Sequence, residues 1–137
     1  MNALRAKAAE EFRVAGVPHR RVEAWKYSDL RALVDARTVA SAPDAVWSIE
    51  SQGVEVAALS SESVPDLPEG IMGAASRAFA KAGFALRVRK SGSAKVTFTA
   101  AGQARILIVL EPGATLAYTE IASSDGLYYL GSVLILC

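Results

Sequence analysis

The residues able to do chemistry are few and far apart. His19 is the only histidine and directly follows Pro18. A general base needs a hydrogen-bonded partner and a cleft, and only Ser28 and Asp29 lie near it in sequence. A small hydrolase built on His19 is one reading, without a triad geometry behind it. A solvated loop histidine is the simpler one. Cys137, the single cysteine, follows Leu136 at the end of an apolar stretch and reads as a buried structural thiol. One His and one Cys cannot fill a structural zinc site, and a metal–sulfur cluster held by this chain alone would need several thiolates. Gly70, Gly73 and Gly83 match no phosphate-binding or dinucleotide spacing. The acidic pair Glu10-Glu11 and the separated Glu111 and Glu120 have no reason to converge, so no carboxylate dyad is expected. The expectation is a chain that is not an enzyme and binds no metal or cofactor.

Arg20, Arg21, Lys26 and Arg31, interleaved with Trp25 and Tyr27, superficially resemble a nucleic-acid surface. A net charge of +1 over 137 residues does not support that partner, nor an acidic membrane. The helical spacing of the two aromatics favours packing, with Trp25 as a core or interface anchor. Hydrophobic residues make up 52% and charged residues 21% of the chain, which is globular material. One cysteine gives no intrachain disulfide and no sign of an oxidising compartment. No apolar stretch reaches the roughly 18 residues of a membrane span. A cytoplasmic protein is expected.

Several elements must position these residues. Leu4, Ala8, Phe12 and Ala15 form one apolar stripe, predicting a helix over Ala3–Ala15 with Gly16 just past its end. Two short helices are expected to meet near Tyr27, since Ser28-Asp29 looks like a fresh N-cap. Asp35 to Gly70 is rich in Ala, Ser, Asp and Pro, with Val54-Glu55-Val56 as its one short strand. Ile71 to Ala82 predicts a helix stopped by Gly83. From Phe84 the period changes to two, with strands at Phe84–Lys90, Lys95–Thr99, Arg105–Leu110, Thr115–Ile121 and Leu127–Cys137. Turns are expected at Ser91-Gly92-Ser93, Ala100–Gln103 and Glu111-Pro112-Gly113. The unbroken run Ile106–Leu110 reads as a strand buried on both faces, with Ile106, Ile108 and Leu110 inside. Strand centres about 10–12 residues apart fit a sandwich, a barrel or a β-solenoid and do not choose among them. Divisions are expected at 1–38 (helical), 39–83 (variable, with a short strand and a helix) and 84–137 (β core).

One stretch is specific. Gly16-Val17-Pro18-His19-Arg20-Arg21-Val22-Glu23-Ala24-Trp25-Lys26-Tyr27-Ser28-Asp29-Leu30 resembles the N-terminal signature of SufD-like subunits in the SufB/SufD family, which reads G-L-P-x-R-R-x-E-x-W-K-Y-T-D-L. Ala78–Gly83 and Arg105–Ala114 are similar to two later family segments, in the same order. The family supplies scaffold subunits to the SUF iron–sulfur cluster assembly machinery. The resemblance implies an α+β fold in which N-terminal short helices precede the first coils of a right-handed parallel β-helix. It covers about the first third of a full-length member. It implies SufB and SufC as partners, with the cluster a product of the whole complex and ATP hydrolysis belonging to SufC. The C-terminal domain that docks SufC is not among these residues. Pro18, Arg20, Arg21, Glu23, Trp25, Lys26, Tyr27, Asp29 and Leu30 are the signature positions, structural or interfacial by the same resemblance. The rival reading is a small stand-alone β-rich interaction module no longer serving cluster assembly. The uncharged stretch Leu127–Cys137 reads as an open strand edge of a larger β-structure. Self-association through it is expected.

Overall fold

The computed structural model describes residues 3–18, 36–59, 70–123, 125–126 and 128–137. These residues form an α+β arrangement of three helices and seven strands, with two mixed sheets and no closed barrel among them. Helix α1 spans Ala3–Ala15, α2 spans Ala36–Ser41 and α3 spans Gly70–Phe79. The strands are β1 (Val46–Gln52), β2 (Glu55–Ala58), β3 (Gly83–Val88), β4 (Ser91–Ala100), β5 (Gln103–Leu110), β6 (Thr115–Ala122) and β7 (Tyr129–Leu136). None of these helices is long and apolar enough to cross a membrane.

Helix α1 forms where its apolar stripe predicts. Ala8 and Phe12 are buried, whereas Ala15 is exposed, so the stripe is shorter than expected. Gly16 closes the helix in the left-handed region at φ 70°, and its N–H donates to the Phe12 carbonyl at 2.7 Å. That single backward bond is the αL cap that glycine makes without steric cost. α1 packs along α3. Phe12 meets Phe79 edge-on at 5.7 Å, and Val17, Val39 and Ala75 complete one small core of the helical layer.

From β3 onward, successive strands alternate between two sheets. β3, β5 and β7 pair in parallel in one, and β4 and β6 pair in parallel in the other. Each strand therefore finds its partner in the next strand but one. β2 and β1 close the opposite side antiparallel, giving the orders β2-β3-β5-β7 and β1-β4-β6. The largest core lies between the sheets, where Phe84, Leu86, Val96, Phe98, Ala104 and Ile106 are buried. Alternation at period two makes this possible, because one face of every strand carries the apolar set.

Four expectations need correction. Asp35 to Gly70 holds more structure than its composition suggests: α2, β1 and a β2 longer than the strand expected at Val54–Val56. The α3 helix ends at Phe79, and Gly83 is no stop signal but the first residue of β3, paired with Arg105. Ser91-Gly92-Ser93 is not a turn but the start of β4; the chain bends at Arg89-Lys90. Lastly, β5 is buried over Gln103–Leu107 only, with Ile108, Val109 and Leu110 half-buried. β7 covers the edge of β5, and among the described residues no further strand pairs beyond it. The pair of helices expected near Tyr27 lies outside the described residues.

Candidate functional site

The structure places one signature residue. Pro18 is fully buried beside Val17, which packs on Phe12, Val39 and Ala75. The signature thus enters through the core of the helical layer. Its remaining positions, Arg20, Arg21, Glu23, Trp25, Lys26, Tyr27, Asp29 and Leu30, lie outside the described residues, as does His19.

Most of the described acidic groups are bound to neighbours. Glu10 accepts from Arg13 at 2.7 and 2.8 Å on the solvent face of α1, and Glu11 lies 4.0 Å from Lys7. Where β3 bends into β4, Arg89 donates to Glu55 at 2.8 Å. Glu111 sits 3.8 Å from Arg87 and 3.9 Å from Arg89 across the same corner. On β6, the Tyr118 hydroxyl donates to Glu120 at 2.6 Å. Desolvation, then that carboxylate, pushes the phenol well above its ordinary value. No group of three His, Cys, Asp or Glu among the described residues could hold a metal ion.

The corner ion pair gives a pH prediction. The Arg89 hydrogen bond, then its charge, holds the Glu55 carboxyl below its ordinary value of 4.5. With the folded value depressed, the pair's contribution is present above pH 4.5 and is lost as pH falls through the lower folded value. A carbon-13 titration should place the Glu55 midpoint below 4.5. Arg89→Gln should return it upward. An unmoved midpoint would show that the pair does not persist in solution.

One feature escaped the sequence reading. Gln103, Arg105, Ser76 and Arg77 are all buried polar residues. Gln103 Nε2 donates to the carbonyls of Val39 at 2.7 Å and Ala42 at 3.3 Å, tying α2 to the sheet. The available signal was the polar start of an otherwise apolar strand, Gln103-Ala104-Arg105.

The open edge expected over Leu127–Cys137 is uncovered among the described residues. Leu86, Ile108 and Leu134 share one register row, as do Val88, Leu110 and Leu136. Burial falls along both rows: Leu86 and Val88 are 0% exposed, Leu134 59% and Leu136 71%. The outer side of β7 pairs with no described strand. It carries no charge to blunt that edge. Cys137 continues the ladder, its N–H donating to the Leu110 carbonyl at 2.9 Å, but its side chain is exposed. The buried structural thiol expected from its apolar neighbours is therefore corrected.

Residues 1–40 match the family described as the SufBD protein N-terminal region. The match covers 40 of the 137 residues and includes the signature Gly16–Leu30. No curated protein and no solved structure matches the chain.

Proposed function

We propose that this chain is the N-terminal part of a SufD-like scaffold subunit, a non-catalytic component of a SUF complex that builds iron–sulfur clusters. The observation carrying the proposal is the match of residues 1–40 to the SufBD N-terminal region, which spans the signature Gly16–Leu30. The strand order is consistent with it. Parallel pairing of each strand with the next but one, in two sheets, is the ladder that the first coils of a β-helix would make. On this reading the cluster is the product of the assembly, and the chain contributes surfaces rather than ligands. SufB and SufC are the partners, and the cytoplasm is the compartment. The uncovered rows ending at Leu134 and Leu136 fit a scaffold whose inter-sheet core is extended by further β-structure.

Co-expression with SufB and SufC tests the reading. The chain should co-elute with SufB, and its removal should lower the activity of iron–sulfur enzymes in the cell. A chain that elutes alone, and whose removal leaves those activities unchanged, would favour the stand-alone interaction module instead.

A further inference from the structure

The helices and the sheets own separate apolar cores. Phe12, Val17, Val39 and Ala75 form one helical cluster, and Ala8, Ala74 and Ala78 another. The inter-sheet cluster draws on strand residues and Ala45. The contact between the helical layer and the four-stranded sheet has a different composition.

Where α3 crosses β5 and β7, the sheet presents Gln103, Arg105 and Gly131. Ala104, Ile106 and Leu130 between them point into the inter-sheet core instead. Gln103 and Arg105 are each 1% exposed, and Ser76 on α3 is 5% exposed. A Cβ at Gly131 would collide with Ser76 Oγ, and Arg105 Nη1 lies 3.5 Å from the same point. A hydroxyl and a guanidinium therefore share the space above one glycine. Ser76 Oγ and Gln103 Oε1 have no hydrogen-bond partner among the described residues. A desolvated polar atom without a partner weakens adhesion between layers, and it regains water as soon as they part.

We infer that α1, α2 and α3 lift from the four-stranded sheet as one unit along this polar seam, while the two-sheet core stays folded. Val39 belongs to the Phe12 cluster, so α2 travels with the other helices and its two bonds from Gln103 break. The connector Pro43–Ala45 stays with the sheet: Gln103 N–H donates to Pro43 at 2.7 Å, and Ala45 N–H to Gln103 at 2.8 Å. Cooperative openings of this kind occur below the global unfolding free energy where a contact is poorer than the cores it joins.

Native-state hydrogen exchange on the whole chain, over a series of low denaturant concentrations, reads the opening directly. Amides of α1 and α3 should exchange in one common step, with a smaller denaturant dependence than those of β3 and β5. Ser76→Ala replaces the unpartnered hydroxyl by hydrogen, and should slow exchange in α1 and α3 about tenfold, leaving β3 and β5 unchanged. Gly131→Ala should do the reverse by wedging Ser76 away. Should Gly131→Ala fail to fold, Ser76→Ala alone decides. Helices that exchange only together with β3 and β5, or a Ser76→Ala effect equal on helices and strands, would overturn the inference.

Discussion

Phe98→Ala should destabilise the chain by about 3–5 kcal/mol, the usual cost of deleting a buried ring. Phe98 is 1% exposed in β4 and belongs to the inter-sheet core. Its ring sits edge-on to Tyr128 at 5.7 Å and to Trp47 at 6.4 Å, so it bridges β1, β4 and the approach to β7. Trp47 also touches Phe84 at 5.5 Å. One deletion therefore removes apolar area and opens a cavity that rings held from three directions cannot easily refill. For a chain of this size the loss corresponds to a fall in thermal midpoint of about 10–20 °C. A thermal melt decides it: a shift of only two or three degrees would mean that the two sheets do not share one packed interior.

Gly102→Ala should cost about 2–4 kcal/mol, combining backbone strain with overpacking. Gly102 lies between β4 and β5 at φ 154°, a conformation that side-chain-bearing residues rarely adopt. A Cβ there would run into the Pro43 carbonyl and lie 2.7 Å from the Asp44 carbonyl carbon and 2.8 Å from the Ala45 nitrogen. These are backbone atoms, which cannot swing aside as a flexible side chain would. They are also engaged, because Pro43 and Ala45 exchange hydrogen bonds with Gln103. The substitution should loosen the 43–45 connector and, through Gln103, the C-terminal end of α2. Denaturant unfolding measures the cost. Selective loss of amide protection at Ala45 and Gln103 would locate it. Full retention of both would remove the account.

What the sequence made legible follows from how local each signal is. Helix α1 needs only its own stripe and Gly16, and both are local. β5 announces itself as an apolar run, and β3 and β4 by alternation. β1 was missed because Trp47 and Ile49 alternate inside a stretch dominated by Ala, Ser, Asp and Pro, so two half-buried side chains compete with many turn formers. Gly83 and Gly92 misled because a glycine before or within a strand looks the same as one in a turn. Only the neighbouring backbone, Arg105 beside the first and Gly53 beside the second, tells them apart. Exposure of Leu134 and Leu136 accords with the open edge expected over Leu127–Cys137, whereas that of Cys137 could not be read from its apolar neighbours, since it depends on which strand lies last in each row. The candidate site was legible as a signature and not as a geometry. Gly16–Leu30 carries its specificity in residue order, and of its marked positions the structure adds only the burial of Pro18.

The skip-one pairing of β3, β5 and β7 also bears on how the chain is made. A strand leaving the ribosome already has its partner available, because the partner precedes it by a single intervening strand. For β5, β6 and β7 the partner lies a similar, short distance back along the chain, so loop-closure entropy is similar at those steps, whereas β4 closes a longer loop to β1. β1 and β2 come first and await β4 and β3, holding an edge until the first parallel strands arrive. Folding can then keep pace with synthesis, one strand at a time, in the order in which the residues were joined.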